Sequence, residues 1–400
     1  MNIRLPLRRL LHSVALLALA IALLISSLPT ISAASSDTAL SPYAPQSGSL
    51  NLNCKSAVLM DAATGQILYE QNPTQQLPPA SVTKIMTLLL IMEAIDTGLL
   101  KLSDPISVSA TAAGMGGSQV YLEPGEVMSC EDLLKSVVIS SANDAAVALA
   151  EHIAGDIPTF VQRMNEKASA LGMLDTHFEN ATGLDDTVTN HLTTAKDIAI
   201  MSRSLIEHKD ILQYSSVWMD TIRNGTFGLT NTNRLVRFYR GATGLKTGST
   251  DKAGFCVSVT AQRDSLSLIC VIMGAESSDI RNAQATRLLD WGFANFACYR
   301  AQKINVQPVP VKGGSSDVCH AQAEEISFTL PKNQISRVEY TVECYESVCA
   351  PVARGEALGR IVYRLGDQTL GEAKIVATED VGRITYRQIL LRLLRGVFFA

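Results

Sequence analysis

Residues 78–95 read PPASVTKIMTLLLIMEAI, two prolines followed by a short polar segment and a long apolar run. Because proline is typical of the first turn of a helix, Ser81 is predicted to lie at a helix N-terminus. Lys84 follows on the same face, where its amine can contact the Ser81 hydroxyl. The run Ile85–Ile95 is apolar almost all round and predicts a buried helix, near whose start a lysine is costly unless its amine serves a cleft. A capping serine with a solvated lysine is the alternative interpretation.

Strand and helix patterns surround this segment. The predicted strands form two hairpins, Ser56–Asp61 with Gln66–Glu70 and Gly254–Gln262 with Leu266–Gly274. The predicted helices are Ser81–Ile95, Glu131–Ser140, Asp144–Ala154, Pro158–Leu171 and about Arg281–Phe296. Strands at both ends of a helical stretch predict an α/β (α+β) domain over residues 51–300, with one sheet assembled from strands distant in sequence.

The pattern changes after residue 300. Short β-rich segments separated by Gly, Pro or Asp turns predict a small all-β domain over residues 301–377, with strands at Ile326–Leu330, Arg337–Val342, Ala357–Arg364 and Gln368–Val376. Residues 378–400 are predicted to form an amphipathic helix that lies in a membrane surface without spanning it. Its apolar residues repeat at three- and four-residue steps: Tyr386, Ile389, Leu390, Leu393, Leu394 and Val397. A terminal helix docked on the body is the alternative.

Composition and the N-terminus bear on location and partners. With 47% hydrophobic and 18% charged residues among 400, the chain is too apolar to be disordered and long enough for two or three domains. A formal net charge of -4 gives no positive field, so nucleic acid is not an expected partner. Residues 1–34 carry arginines, an apolar run and small residues in the order of a signal peptide, and 35–50 form a linker. The chain is predicted to be exported; an uncleaved signal anchor is the alternative.

Eight cysteines are present, and none has zinc-ligand spacing, so neither a metal nor another cofactor is expected. Export permits disulfides, yet buried lone cysteines are common, and pairing stays open. Cys256 and Cys270 are predicted to face each other across the second hairpin, whose turn is centred on Arg263.

Two further motifs carry reactive or charged side chains. Ser141-Ala142-Asn143 is predicted to form a turn between helices, because residues two apart cannot face the same way on a helix; helix capping is the alternative role. Lys246-Thr247-Gly248-Ser249 is followed, after a short turn, by the predicted strand Gly254–Gln262. An edge strand with a cation, hydroxyls and a glycine can receive an extended peptide and its terminal carboxylate. A plain surface strand is the alternative.

These three motifs, in this order in an exported chain, resemble those of the low-molecular-mass penicillin-binding proteins, the serine D-alanyl-D-alanine carboxypeptidases of bacterial cell walls. The resemblance covers nearly everything from about Leu52 onward. It includes Tyr121–Gly125, His177–Leu184, His191–Asp197 and Ala350-Pro351. It implies a serine β-lactamase/transpeptidase-like domain followed by the small all-β domain and an amphipathic anchor on the outer face of the cytoplasmic membrane.

The resemblance also implies roles. Ser81 attacks the carbonyl between the two terminal D-alanines of a peptidoglycan stem peptide, Lys84 is its base, and Ser141 relays a proton to the leaving amine. Asn143 orients Lys84 and the substrate amide. Lys246 and Thr247 hold the terminal carboxylate, next to Gly248, and backbone N–H groups of Ser81 and Ser249 bind the oxyanion. Penicillins and other β-lactams are the implied inhibitors. Some relatives carry histidine at the position of Ser249. His191 and Asp197 are interpreted as structural.

Three alternatives remain. A class A β-lactamase would carry Ser-Asp-Asn and a Glu-x-x-Leu-Asn loop, whereas this chain has Ser141-Ala142-Asn143 and follows Glu179 with a different sequence. A D,D-endopeptidase stays open, because the motifs identify the D-alanyl carbonyl and not what lies beyond it. A wall-binding scaffold with a retired site is disfavoured, since every reactive side chain is present.

Overall fold

The computed structural model describes residues 50–301 and 304–398 of the chain. The predicted signal peptide, residues 1–34, lies outside the described residues, as does the predicted linker, residues 35–50, apart from Leu50.

A five-stranded antiparallel sheet in the order β2-β1-β9-β8-β7 forms the centre of the first domain. Its strands are β1 (Ser56–Asp61), β2 (Ile67–Gln71), β7 (Ala242–Thr250), β8 (Gly254–Arg263) and β9 (Leu266–Ala275). Two small hairpins pair β3 (Pro105–Ser107) with β4 (Val127–Ser129) and β5 (Met219–Ile222) with β6 (Phe227–Thr230). The predicted sheet from sequence-distant strands is confirmed, and β7 lies at its edge.

Helices cover both faces of this sheet. They are α1 (Lys84–Asp96), α2 (Ala110–Ala113), α3 (Cys130–Ser140), α4 (Asn143–Ala154), α5 (Ile157–Ala170), α6 (Ala195–Glu207), α7 (Ile211–Ser215), α8 (Leu235–Phe238) and α9 (Ser278–Asn295). Alternate residues of β1 point to opposite faces. Val58 and Met60 join a core with α1 and α3–α6, whereas Ala57 and Leu59 join a second core with α9. The α/β (α+β) architecture is therefore confirmed.

The prediction that Cys256 and Cys270 face each other is wrong. It centred the turn on Arg263, whereas Arg263 still pairs with Leu266, and the two turn residues follow it. This shift in register places Cys270 opposite Val259. Cys256 lies at an irregularity in the strand pairing, and its side chain belongs to the core on the other face of the sheet. All eight cysteines are free thiols in this structure.

The second region is all-β, as predicted. Its strands are β10 (Phe296–Arg300), β11 (Val309–Lys312), β12 (Val318–Cys319), β13 (Ala321–Ala323), β14 (Ser327–Pro331), β15 (Val338–Cys344), β16 (Val348–Cys349), β17 (Ala357–Leu365) and β18 (Gln368–Ala377). They form sheets in the orders β13-β18-β17-β15, β12-β11-β16 and β10-β14. Leu358, Ile361, Tyr363 and Ile375 are buried in their common core.

The C-terminal helix begins later than the predicted residue 378. α10 spans Tyr386–Phe398, and the residues before it belong to the β domain. Val381 is buried in the core of that domain and exchanges two 2.9 Å backbone hydrogen bonds with Val352. Ile384 N–H donates to the Gly313 carbonyl. Within residues 50–301 and 304–398, no helix combines the length and the apolar composition needed to cross a membrane.

Candidate active site

Ser81 and Lys84 lie where the chain enters α1. Residues Ala80–Thr83 form one 3-10 turn, and the α-helix begins at Lys84. The Lys84 amine nitrogen Nζ lies 2.9 Å from Ser81 Oγ and donates a hydrogen bond, also 2.9 Å, to the Thr182 carbonyl. Lys84 is fully buried, whereas Ser81 remains partly exposed. The predicted contact between hydroxyl and amine is confirmed, and it opens to the surface on the side of the serine.

The surroundings of Lys84 disfavour its charged form. Burial is the main reason that its pKa lies well below the usual value, and the positive charge of Lys246 lowers the pKa further. The carboxylate of Asp144 opposes the shift. A neutral amine beside a serine hydroxyl can accept the proton of that hydroxyl, which is the function of a general base.

Ser141-Ala142-Asn143 forms the predicted turn between α3 and α4. Ser141 adopts the left-handed conformation (φ 63°) that ends α3, and Asn143 is the first residue of α4. Asn143 Nδ2 donates a 2.7 Å hydrogen bond to the Gly116 carbonyl, which fixes the orientation of the amide. Its Oδ1 is buried and has no hydrogen-bond partner within the described residues, so the predicted contact from Asn143 to Lys84 is not formed here.

The third motif lies on edge strand β7, as predicted, directly against the serine. A Cβ atom added to Gly248 would lie 2.7 Å from the Ser81 backbone nitrogen, so a larger residue would displace one of the two segments. Thr247 Oγ1 donates a 2.7 Å hydrogen bond to Thr232 Oγ1. Ser249 is exposed at the end of the strand. The strand thus presents its polar residues beside the Ser81 turn.

Lys246 is buried, and its Nζ donates a 2.9 Å hydrogen bond to the Thr247 carbonyl. Burial, followed by the positive charge of Arg281, lowers the pKa of Lys246 to about 7. Arg281 lies near the start of α9 and is itself largely buried. Sequence reasoning missed Arg281, since nothing in the chain links it to Lys246 across more than thirty positions. Together the two cations make this part of the cleft favourable for an anion.

Two loops that contact these motifs were also not assigned a role from the sequence. Loop 177–193 supplies the Thr182 carbonyl to Lys84, and Gly183 of the same loop lies against Ala80. Loop 116–118 contacts Asn143, whose backbone N–H donates to the Ser118 carbonyl at 2.7 Å. The adjacent glycines at positions 116 and 117 were the sequence signal for a close approach of this loop to another segment. In the structure, a Cβ atom at Gly117 would lie 2.8 Å from Asn143 Nδ2.

His191 and Asp197 do not bond to each other. His191 contacts Thr83 at 2.8 Å, and Asp197 accepts a 2.7 Å hydrogen bond from Thr176. Among the described residues, no three histidine, cysteine or carboxylate side chains come together as a set of metal ligands.

Comparison with known proteins identifies the family. A model described as D-alanyl-D-alanine carboxypeptidase matches residues 41–277, which is more than half of the chain. The chain belongs to the D-alanyl-D-alanine carboxypeptidase family. A model described as penicillin-binding protein 5, C-terminal domain, matches residues 298–383 of this family member. The recognised resemblance and the two-part fold are thereby confirmed, and the family is one of serine-type hydrolases.

Individual relatives agree with this assignment. The chain is 39% identical over 363 residues to D-alanyl-D-alanine carboxypeptidase DacF of Bacillus subtilis, covering 88% of this chain and 93% of that protein. The crystal structure of penicillin binding protein 5 from Haemophilus influenzae matches with a TM-score of 0.70 and 31% identity, covering 83% of this chain and 98% of that one. Penicillin-binding protein D2 from Listeria monocytogenes, in its ampicillin-bound form, matches with a TM-score of 0.56 and 32% identity, covering 61% and 99%.

Proposed function

We propose that this enzyme removes the terminal D-alanine from peptidoglycan stem pentapeptides through an acyl-enzyme on Ser81. The observation that carries the proposal is the 2.9 Å contact between Ser81 Oγ and the buried amine of Lys84, whose pKa is lowered. Lys84 takes the Ser81 proton as Oγ bonds to the carbonyl carbon between the two D-alanines. The C–N bond then breaks, D-alanine leaves with a proton relayed by Ser141, and water hydrolyses the ester.

The remaining motif residues bind the substrate. Lys246 and Thr247 hold the terminal carboxylate, and the buried Arg281 strengthens the positive potential at that point. Gly248 allows the substrate backbone and the Ser81 turn to approach the same strand. The unpaired Oδ1 of Asn143 supplies an acceptor for a substrate amide N–H. Backbone N–H groups of Ser81 and Ser249 bind the oxyanion, each donor stabilising the transition state by about 3 kcal/mol.

The same serine is the proposed target of β-lactams. A β-lactam carries a strained amide and a carboxylate, the two groups that Ser81 and Lys246 are proposed to engage in the peptide. The ampicillin-bound form of the Listeria monocytogenes neighbour supports this proposal.

The test of this function is the release of D-alanine from a purified pentapeptide. We expect one D-alanine to be released for each pentapeptide hydrolysed, and benzylpenicillin to inhibit this release. Penicillin itself should be hydrolysed slowly or not at all. Rapid penicillin turnover without D-alanine release would favour a β-lactamase. Cleavage of cross-linked dimers in preference to pentapeptides would favour the D,D-endopeptidase.

We also propose the domain organisation and location. Residues 1–34 are a signal peptide, 35–50 a linker and 51–295 the catalytic domain. The β domain covers residues 296–385, since β10 pairs with β14, and the anchor helix begins after Thr385. The described apolar side chains of α10 are exposed, including Tyr386 (93%) and Leu390 (58%). By contrast, Arg392 contacts Asp317 of the β domain at 2.5 Å. A docked amphipathic helix would bury its apolar side, whereas the described apolar side chains of α10 are exposed, which supports their insertion into the outer surface of the cytoplasmic membrane.

Deleting residues 386–400 should release the enzyme from membranes. Without the apolar residues and arginines of α10, the protein loses both its buried acyl-chain contacts and its attraction to lipid phosphates, about 1 kcal/mol per basic residue near an anionic surface. Sedimentation with vesicles containing anionic phospholipid measures the effect. Hydrolysis of a small soluble peptide should be unchanged.

A full-length variant with Leu390→Glu and Leu394→Glu is the matched control, because it keeps the helix length and every arginine. It should also stay in the supernatant. Cosedimentation of the truncated protein at the level of the full chain would show that α10 is not the anchor. Loss of its activity on the soluble peptide would show that α10 belongs to the folded body.

A further inference from the structure

The residue before Ser81 has an unfavourable backbone conformation. Ala80 is buried and has a φ of 49°, in the left-handed region that residues other than glycine rarely occupy. Such a conformation persists only where surrounding contacts hold it, and it sets the direction of the next side chain. The position of Ser81 Oγ relative to Lys84 therefore depends on what holds Ala80.

Thr83 and His191 provide that contact. Thr83 Oγ1 donates a 2.8 Å hydrogen bond to the Ala80 carbonyl and lies 2.8 Å from His191 Nε2. On the other side of the ring, Nδ1 lies 2.9 Å from the Glu179 backbone nitrogen. Because a backbone N–H can only donate, Nδ1 is the acceptor. The neutral ring then carries its proton on Nε2 and donates it to Thr83 Oγ1.

The surroundings of His191 keep the ring in this state. Burial lowers its pKa to about 4, with the nearby His177 acting in the same direction and Glu179 and Asp185 opposing. In a protonated ring Nδ1 would carry a hydrogen that points at the Glu179 N–H, so the hydrogen bond between them would be lost. The ring also contacts Phe178 edge to face, with centroids 5.7 Å apart. One tautomer is thus held throughout the neutral pH range.

The same loop also contacts Ala80 directly. Gly183 has a φ of 85°, and a Cβ atom there would lie 1.8 Å from the Ala80 carbonyl oxygen. The loop that carries His191 therefore approaches the Ser81 turn at two points, one through a hydrogen-bonded side chain and one through bare backbone.

We infer that His191 is a positioning residue for acylation, which acts through Thr83 and the Ala80 carbonyl to hold Ser81 in line with Lys84. The inference rests on the proposed role of Ser81 as nucleophile. His191 touches neither substrate nor reacting atoms; it transmits the position of loop 177–193 to the serine. The ordinary interpretation of a buried histidine, packing alone, does not explain why its one donor is aimed at the serine turn.

Replacing Thr83 by valine removes the hydroxyl that links His191 to the Ala80 carbonyl, with little change in side-chain volume. We expect the acylation rate constant with fluorescent penicillin to fall by about ten- to a hundredfold, since small misplacements of a reacting group have effects of this order. The dissociation constant of the non-covalent complex should change little. Stopped-flow fluorescence separates the two constants, and Thr83→Ser, which keeps the hydroxyl, should restore most of the rate.

Thr87→Val is the matched control. Thr87 lies one helical turn later on α1, is equally buried, and donates a 2.7 Å hydrogen bond to the Ala181 carbonyl of the same loop, but does not reach Ala80. Its loss should lower the melting temperature without slowing acylation. Equal slowing by Thr83→Val and Thr87→Val, or an unchanged rate in Thr83→Val, would overturn the inference.

Two variants of His191 separate its two hydrogen bonds. His191→Asn keeps an acceptor for the Glu179 N–H but cannot reach Thr83, whereas the longer side chain of His191→Gln can donate to Thr83. Acylation should be slow in the first and partly restored in the second; the reverse order would contradict the inference. Mass spectrometry of each adduct must locate it on Ser81. An adduct elsewhere would overturn the nucleophile assignment, a different failure from a normal rate at Ser81.

Discussion

Replacing Ser81 by alanine should abolish D-alanine release and covalent labelling by fluorescent penicillin. The oxygen that forms the ester is lost, and removal of a nucleophilic serine lowers kcat by about 10⁶-fold in a comparable serine hydrolase. The fold should be retained, because Ser81 is partly exposed and its side chain has a hydrogen bond only with the Lys84 amine among the described residues. Gel fluorescence and a D-alanine assay measure the two losses.

Ser249 provides the internal comparison for this experiment. It is the only other serine with a lysine three positions later, Lys252. In the Ser81→Ala protein Ser249 remains intact, and peptide mapping should find no penicillin adduct on it. An adduct at Ser249, or full labelling of Ser81→Ala at any site, would refute the assignment of Ser81.

This comparison also shows how far spacing alone leads. Both serines satisfy Ser-x-x-Lys, but only Ser81 enters a helix, where residues three apart share a face. Ser249 lies on β7, and the amine of Lys252 contacts the Asp185 carbonyl instead. In the sequence, the two prolines before Ser81 and the apolar run after it indicate a helix start, and Ser249 has neither. Local pattern was therefore sufficient to predict the Ser81–Lys84 contact.

Contacts that depend on long-range packing were not predictable in this way. Arg281 approaches Lys246 because α9 packs on the sheet that carries β7, and no periodicity encodes that approach. The register of the β8–β9 hairpin was also predicted wrongly. Its turn consists of only the two residues between Arg263 and Leu266, and a small error in the position of such a short turn changes every pair in the hairpin. The end of the β domain was missed because Val381 completes its core from beyond the last strand.

Lys246 links substrate binding to the state of Lys84, since both lysines are buried and the charge of one lowers the pKa of the other. In the proposed mechanism the productive state has Lys84 neutral and Lys246 charged. Lys84 becomes neutral as pH rises through its lowered pKa, and Lys246 loses its charge as pH rises through about 7. We therefore expect a bell-shaped profile of kcat/KM against pH. In kcat the alkaline limb should move to higher pH, because a bound carboxylate raises the pKa of Lys246.

Lys246→Ala and Lys246→Arg separate these two effects. The alanine variant should lose on the order of a hundredfold in kcat/KM, because a charged donor to the substrate carboxylate is removed. Its acid limb should move to higher pH, since Lys84 regains part of its usual pKa. The arginine variant keeps the charge, so it should lose less activity, retain the acid limb and lack the alkaline limb near pH 7.

Lys252→Ala is the control, because it removes a cation that is bonded to the Asp185 carbonyl, and it should leave both limbs in place. Steady-state kinetics over about five pH units, from roughly pH 5 to pH 10, measures all three profiles. An acid limb that stays at the same pH in Lys246→Ala would show that burial alone sets the pKa of Lys84, and that Lys246 serves the carboxylate only.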